Sequence, residues 1–347
     1  PNPNGIGHAH VHSGKDGRLL YRFDGEQVGG FFGVSASGAG DLNTDGYADI
    51  LVGASSHSDK ANKREGMVKV YSGKDGAVLY TLIGYDHDSE FGFSVSGAGD
   101  VNNDGNADFI VGAYKDDTSF WDSGSARVFS GKTGALLYTF SGDEKFTSFG
   151  LSVSGPGDVN NDGYSDLLVG APRDDDSGKT DCGSASLYSG KDGTVLQQFF
   201  GDSKNDEFGF SVSTAGDLNL DGFLDLIVGA PRDDNSATDS GSVRVLSGKD
   251  GTTIYSYDGL AADDWFGWAV TGGGDINADG YSDFIVGALF DDSAGTDAGS
   301  VNVYSGKDGS LLERFEGKAP GDWYGQSLAM TGDLNRDGHT EFIIGAE

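Results

Sequence analysis

The sequence is poor in the residues that stabilise small secreted domains and in those that form long helices. Its 347 residues include one cysteine, two methionines and six prolines. With Cys182 alone, no intrachain disulfide can form. Ser123, Ser240 and Ala298 occupy the matching loop position elsewhere in the chain, so we interpret Cys182 as a neutral substitution.

Long apolar runs are also missing. None approaches the roughly 18 residues that a membrane span requires. The N-terminal PNPNGIG has neither the charged segment nor the apolar segment of a signal peptide. We expect a soluble segment without direct membrane insertion.

Positive charge is scarce, since the chain contains 23 Lys and Arg residues but 55 Asp and Glu residues, which gives a net charge of −32. Such a surface repels phosphate backbones and anionic lipids, which excludes nucleic acid as a partner. Bound divalent cations are the obvious means of neutralising so many carboxylates.

Glycine is abundant, with 59 residues, and it marks a repeat of 58 or 59 residues. An aromatic residue precedes glycine at Phe32, Phe91, Phe149, Phe208, Phe266 and Tyr324. A Gly-Ala pair begins at Gly53, Gly112, Gly170, Gly229, Gly287 and Gly345, and a Ser-Gly-Lys turn begins at Ser13, Ser72, Ser130, Ser189, Ser247 and Ser305. Three independent markers therefore agree on six copies.

Each copy contains four short runs of β-type pattern separated by turn residues. This predicts an all-β fold, a six-bladed β-propeller of four-stranded blades. As one domain spanning 1–347, it would have blades near 25–83, 84–141, 142–200, 201–258, 259–316, and 317–347 together with 1–24. Pairing of the N- and C-terminal strands would close the ring and remove exposed sheet edges.

The first two strands of every copy are separated by the pattern Asp-x-Asn-x-Asp-Gly-x-x-Asp, with Glu at the last position of the final copy. Calcium prefers six to eight oxygen ligands, which alternate side chains on a tight loop can supply. We predict up to six Ca²⁺ ions. Positions one, three, five and nine would supply side-chain oxygens and position seven a main-chain carbonyl: Asp41, Asn43, Asp45, Tyr47, Asp49; Asp100, Asn102, Asp104, Asn106, Asp108; Asp158, Asn160, Asp162, Tyr164, Asp166; Asp217, Asn219, Asp221, Phe223, Asp225; Asp275, Asn277, Asp279, Tyr281, Asp283; and Asp333, Asn335, Asp337, His339, Glu341.

Two other interpretations of these loops are an EF-hand and an ordinary turn. An EF-hand carries Glu at position twelve between helices, but position twelve here is Val or Ile within a strand. Asp, Asn and Gly also favour ordinary turns. Turn formation does not require acids at fixed alternate positions in six copies, which favours the metal site.

These motifs resemble FG-GAP repeats, on the evidence of the FG pairs, the acidic loop and the Gly-Ala-Pro tripeptides at Gly170 and Gly229. Such repeats form the integrin α-subunit propeller. The resemblance implies calcium on one face, ligand contacts on the other and an adhesive role at the cell surface. Integrin heads have seven blades with metal loops in only some, whereas this chain has six copies, each with a loop. The regularity suggests a bacterial or other non-animal relative.

Residues of the loops after each second strand are candidate ligand contacts. Acid clusters at Asp116–Asp117, Asp174–Asp176, Asp233–Asp234 and Asp291–Asp292 are either a solvated surface or a site for a cationic or metal-bridged ligand. Trp121, Trp265, Trp323 and Tyr324 lie in or next to loops of the same face and are either ligand contacts or packing between blades, whereas Trp268 is expected in the core. His8, His10 and His12 alternate along one strand as either a transition-metal site or a solvated face.

The sequence therefore indicates a non-catalytic, secreted or cell-surface module that binds calcium and a protein ligand. A lectin-like propeller that binds glycans and a spacer domain within a larger surface protein or enzyme are the alternatives. The oligomeric state is not indicated.

Overall fold

The computed structural model describes residues 5–58 and 63–346, and these form strands and turns without an α-helix. Correspondingly, the described part of the chain contains no helix with the length and apolar character needed to span a bilayer. Residues 1–4 and 347, assigned above to the closing blade, and residues 59–62 of the first blade lie outside the described residues.

Twenty-four antiparallel strands occur in the described residues, as five four-stranded sheets and two hairpins. Strands in each sheet are hydrogen-bonded in sequence order. The hairpins are β1 (His8–His12) with β2 (Leu19–Asp24), and β23 (Ser327–Gly332) with β24 (Glu341–Gly345). The sheets are β3 (Phe32–Gly40), β4 (Asp49–Ala54), β5 (Met67–Tyr71), β6 (Val78–Ile83); β7 (Ser94–Gly99), β8 (Asp108–Ala113), β9 (Ser125–Phe129), β10 (Leu136–Ser141); β11 (Ser152–Gly157), β12 (Asp166–Ala171), β13 (Ser184–Tyr188), β14 (Val195–Phe200); β15 (Ser211–Gly216), β16 (Asp225–Ala230), β17 (Ser242–Leu246), β18 (Thr253–Asp258); and β19 (Phe266–Gly274), β20 (Asp283–Ala288), β21 (Ser300–Tyr304), β22 (Leu311–Glu316).

The chain divides into two compact units. The first comprises Pro1–Gly155, Gly163–Val169 and Tyr188–Val195, and the second comprises Pro156–Asp162, Gly170–Leu187 and Leu196–Glu347. The repeated four-stranded sheets predicted from the sequence are confirmed, and they are consistent with a β-propeller. The number of blades, their boundaries and the closure of the ring stay predictions.

The two central strands of each four-stranded sheet are the most buried, because both of their faces are covered. In β8, β12, β16 and β20 every residue is buried. These strands read as continuous apolar runs ending in Gly-Ala, which is the pattern expected of a strand covered on both faces. The burial predicted for the Ile50–Gly53 and Phe109–Gly112 segments is confirmed, except that Ile50 is half-buried.

Aromatic residues fill the space between consecutive sheets. In the first unit, Phe140 of β10 stacks on Tyr188 of β13 in the next sheet, with ring centroids 4.1 Å apart. In the second unit, Tyr257 of β18 contacts Tyr304 of β21 in the next sheet, with ring centroids 4.5 Å apart. Within a unit, consecutive sheets therefore bury their faces against each other.

The two glycine markers of the repeat meet at these junctions. A Cβ added to Gly53 would lie 2.0 Å from the carbonyl oxygen of Gly92, the glycine of the next aromatic-Gly pair. Ser35 Oγ donates to that same oxygen at 2.8 Å. The contact recurs between Gly112 and Gly150, Gly229 and Gly267, and Gly287 and Gly325. Glycine is required at Gly53 because any side chain would force neighbouring sheets apart.

The terminal hairpins are less covered than the sheets. Ile343 of β24 is 60% exposed, whereas Ile285 at the matching position of β20 is fully buried. In β1, the side chains of His8, His10 and His12 are exposed, with the first two ring centroids 4.7 Å apart. The alternation predicted for these histidines is therefore present, and their metal binding stays untested.

Candidate cation-binding loops and the opposite loops

The six acidic loops share one backbone conformation, which is set at positions four and six. Position six is always glycine with φ between 86° and 92°. Position four is left-handed in every copy, although it holds Thr44, Asn103, Asn161, Leu220, Ala278 and Arg336. Left-handed backbone is unfavourable for residues other than Gly, Asn and Asp, so the rest of the loop must impose it.

The carboxylate at position one holds this conformation by accepting backbone N–H groups. In the second loop, Asp100 accepts from the N–H of Asp104 at 3.0 Å and of Gly105 at 2.8 Å. The same pair of bonds occurs in the first, fourth, fifth and sixth loops. These bonds fix the turn of the loop.

Position nine fastens the loop to the sheet. Asp225 accepts the N–H of Leu218, at position two of the loop, and the N–H of Gly248, in the next Ser-Gly-Lys turn. Burial, together with the carboxylates of Asp221 and Asp217, raises the pKa of Asp225 to about 6. In the second loop, burial likewise raises the pKa of Asp108 to about 6. These two loops therefore concentrate negative charge that their own hydrogen bonds do not neutralise.

The second loop contains an acceptor that the protein leaves without a donor. Asn102 Oδ1, at position three, is buried and has no hydrogen-bond partner. At the same position of the first loop, Asn43 Oδ1 accepts the N–H of Asp45 at 3.0 Å. A buried oxygen without a donor, within a set of carboxylates, fits a hard cation such as Ca²⁺.

The sixth loop brings its three acids close together. One oxygen from each of Asp333, Asp337 and Glu341 lies within 4.8 Å of the other two. Of the other loops that lie within one unit, none has three described carboxylates this close. The Asn335 amide nitrogen donates to Asp337 and Glu341, so a bound cation would require this amide to turn.

A lysine from the following Ser-Gly-Lys turn lies near position five in three loops. The shortest of these distances is 3.7 Å, from Lys249 Nζ to Asp221 Oδ2. The other two pairs are Lys132 with Asp104 and Lys307 with Asp279. These lysines are half exposed, so their ion pairs contribute little to stability, and their side chains can move aside for a cation.

Comparisons with known proteins agree with the repeat. The FG-GAP repeat family matches residues 32–71, 149–188, 208–246 and 266–304. Four of the six copies therefore match this repeat. It is 34% identical to integrin alpha-5 of Xenopus laevis over 219 residues, which is 58% of this chain and 20% of that protein. It is 31% identical to integrin alpha-V of Gallus gallus over 243 residues, covering 65% of this chain and 23% of that protein.

The predicted resemblance to integrin α subunits is confirmed, and the chain spans about a fifth of the length of these relatives. A crystal structure of Saccharomyces cerevisiae Sqt1 superposes with a TM-score of 0.61 at 12% identity. The match covers 98% of this chain and 76% of Sqt1. At this identity the similarity concerns the fold alone.

At the other end of the FG-GAP strands, the acid pairs organise the loop after the second strand. Asp116 is fully buried and accepts from Ser125 Oγ and from the Arg127 guanidinium. Its neighbour Asp117 accepts the N–H of Asp122 at 2.7 Å. Asp233–Asp234 and Asp291–Asp292 repeat the bonds from a serine and from a backbone N–H, and Asp291 also pairs with Arg314. The interpretation of these acids as a merely solvated surface is therefore wrong for the first acid of each pair, because its carboxylate is buried and hydrogen-bonded.

The four predicted aromatic contacts differ in exposure. Trp121 is 67% exposed, whereas Trp265, Trp323 and Tyr324 are half-buried. Trp265 contacts Trp268 and Phe290, with ring centroids 5.5 and 4.8 Å apart. The expected core position of Trp268 is wrong in degree, since it is half-buried and its indole N–H donates to the Gln326 carbonyl. The ligand role of the four residues stays a prediction.

A cavity of about 880 Å³ opens among these loops in the second unit. Its wall combines aromatic residues with polar ones, including Tyr257, Tyr304, Asp264 and Arg314. Asn302, also in the wall, is 6% exposed, and its Oδ1 atom has no hydrogen-bond partner. Such a mixture is typical of sites for small polar ligands.

Sequence reasoning missed a second acidic cluster, formed by Asp202, Asp206 and Asp233. Burial, with the nearby carboxyls of Asp233 and Asp202, raises the pKa of Asp206 to about 7. The hydrogen bond from the Ser203 N–H partly opposes this shift. Asp202 and Asp206 lie in the variable loop between two repeats, where no fixed spacing marks them. Only folding brings them beside Asp233.

Proposed function

We propose that the chain is a calcium-binding extracellular adhesion or protein-interaction module whose acidic loops stabilise the propeller and whose opposite loops bind a ligand. The observation that supports calcium most directly is the unpartnered Asn102 Oδ1 within a loop of three carboxylates. The similarity to integrin α subunits supports the adhesive role.

In the second loop, the calcium ligands would be the side chains of Asp100, Asn102, Asp104 and Asp108 and the carbonyl of Asn106. Calcium would supply the positive charge that these acids lack. The corresponding residues of the other loops would act in the same way, with up to six ions in total.

The opposite loops are the better candidates for ligand contact because they vary in sequence while the calcium loops are nearly uniform. They also carry the exposed Trp121. Protein recognition commonly relies on such aromatic anchors. The ligand would be a protein of the cell surface or matrix.

The first test is to compare Trp121→Ala, Trp265→Ala and Trp323→Ala with the wild type on panels of immobilised matrix proteins. We expect at least tenfold weaker binding for Trp121→Ala with an unchanged melting temperature. Tyr47→Ala, which alters an exposed ring at the calcium end, is the matched control and should bind normally. Unchanged binding by all three folded tryptophan variants would rule out this surface.

A glycan-binding function is the second candidate, and the cavity beside Tyr257 and Tyr304 favours it. Aromatic rings beside carboxylates and an unpaired amide oxygen suit the faces and hydroxyls of a sugar. A glycan array probed with wild type and Asn302→Ala distinguishes the two functions. Sugar binding that the Asn302 variant loses would favour the lectin. Absence of ligands on both panels would favour a spacer domain.

A further inference from the structure

Three carboxylates meet at the end of the strands opposite the predicted calcium loops. Asp202 and Asp206 lie in the loop between β14 and β15, and Asp233 lies in the loop after β16. One oxygen from each lies within 4.8 Å of the other two. Asp206 is 1% exposed and Asp233 is 4% exposed, whereas Asp202 faces solvent.

The protein does not satisfy all the oxygens of this cluster. Asp206 Oδ2 accepts the Ser203 N–H at 2.7 Å, but its Oδ1 is buried without any hydrogen-bond partner. Asp233 accepts from Asn235 and from Ser242 Oγ. A buried carboxylate oxygen without a donor beside two other carboxylates is costly unless a cation or a proton compensates it.

The equivalent sites of other repeats use an arginine for this purpose. Arg127 donates to Asp116, and Arg314 donates to Asp291. Arg244 interacts electrostatically with Asp202, Asp206 and Asp233, but its guanidinium donates to the Phe200 carbonyl and lies over the ring of Phe208. In its counterparts a guanidinium is bonded to the buried carboxylate. Among the described residues, no guanidinium is bonded to the three carboxylates of the Asp233 site.

We propose that Asp202, Asp206 and Asp233 bind one divalent cation of the hard class, such as Ca²⁺, Mg²⁺ or Mn²⁺. Oxygen-only ligands select these ions over zinc or copper. Even if Arg244 offsets one charge, three carboxylates leave a net charge of −2, which a divalent ion neutralises. The exposed side at Asp202 leaves coordination positions for water or for a carboxylate of a bound partner.

The neighbouring repeat offers a matched control. Asp264 and Asp291 correspond to Asp206 and Asp233, but Leu260 replaces Asp202 and Arg314 pairs with Asp291. This counterpart lacks the third carboxylate, and its arginine is bonded directly to Asp291. It is expected to bind no ion.

Equilibrium dialysis with radioactive calcium and with Mn²⁺ tests the proposal on the full chain. We expect Asp206→Asn to bind one ion fewer than wild type, and Asp264→Asn to bind the same number as wild type. Because Asn preserves the shape of Asp206 and the bond from Ser203, the variant should fold, which circular dichroism checks. An unchanged ion count for both Mn²⁺ and Ca²⁺ in folded Asp206→Asn would overturn the proposal.

Anomalous diffraction from crystals soaked in Mn²⁺ locates the ions directly. A peak among Asp202, Asp206 and Asp233 that disappears in Asp206→Asn supports the site. Peaks confined to the FG-GAP loops would refute it while leaving the proposed calcium loops intact. The proposed site would likewise be refuted if ions were lost only in variants of those loops, such as Asp108→Asn.

Discussion

Position four of the acidic loops shows how far a loop can override the preference of one residue. Asn103 and Asn161 suit the left-handed conformation because their short amide tolerates it. Leu220 and Ala278 adopt nearly the same φ, 56° and 59°, without that advantage. The strain at these two positions is maintained by the N–H bonds to position one.

Replacing Leu220 by glycine should therefore stabilise the protein. Leu220 is 55% exposed, so little packing is lost, and glycine removes a left-handed penalty of about 1 kcal/mol. Urea unfolding measures the gain. The matched change Asn103→Gly should have an effect of less than about 0.5 kcal/mol, since asparagine already tolerates this backbone. Equal effects of the two changes would show that position four is unstrained.

Asp264 provides a residue-level test of pH dependence. Burial, and after it repulsion from Asp291 and Asp292, raises the pKa of Asp264 to about 6. The hydrogen bond from the Ala261 N–H and the charge of Arg314 act in the opposite direction. A raised carboxyl pKa means that the folded state holds its proton more tightly than the unfolded state. Stability from this group is therefore full at low pH and is lost as the pH rises through about 6.

Asp264→Asn should accordingly match the wild type near pH 4 and exceed it by about 1 kcal/mol at pH 8, with partial solvent screening reducing the effect. The amide oxygen can still accept from Ala261. Urea unfolding across this pH range measures the difference. A variant less stable than the wild type at pH 8 would contradict the assigned cause.

Among the elements, the contact between consecutive sheets depends on glycine in the second strand. Gly53→Ala would place a methyl group 2.0 Å from the Gly92 carbonyl oxygen and 2.3 Å from Ser35 Oγ. We expect a loss of about 3 kcal/mol, because backbone atoms of two sheets must move apart.

Gly38→Ala is the control within the same sheet. No atom lies within 4 Å of a Cβ at Gly38, and its φ is not positive. Its unfolding free energy should change by less than about 0.5 kcal/mol. If denaturant unfolding gave similar losses for both glycines, the junction would not depend on the close approach.

The sequence predicted the repeat, the four strands of each sheet and the buried second strand because glycine and apolar positions recur at fixed spacing. It also predicted the acidic loops for the same reason. It did not predict the bonds of Asp116 to Ser125 and Arg127, since their partners lie in a different strand. The cluster at Asp206 was invisible because its members come from two loops of unequal sequence.

For the whole molecule, the dominant electrostatic feature is the charge of −32. Six bound Ca²⁺ ions would contribute +12 and leave about −20. Self-repulsion among carboxylates destabilises a compact state, and calcium bound only to the folded state stabilises it by mass action.

The melting temperature should therefore rise with added calcium and fall on chelation. At a tenfold excess over the dissociation constant, each site contributes roughly 1.4 kcal/mol. Differential scanning calorimetry measures the shift, with NaCl at matched ionic strength to separate screening from binding. An identical melting temperature in calcium and in chelator would mean that the six loops are ordinary turns.

The glycine junctions described above also bear on how such a chain can change its length. At each of the four junctions, one copy supplies the glycine of its second strand and the next copy supplies the glycine of its aromatic-Gly pair. A duplicated copy brings both halves of this contact with it. Recombination that inserts or removes one whole copy therefore leaves every remaining junction with the same two glycines, so gene duplication can alter the number of repeats without requiring a new interface.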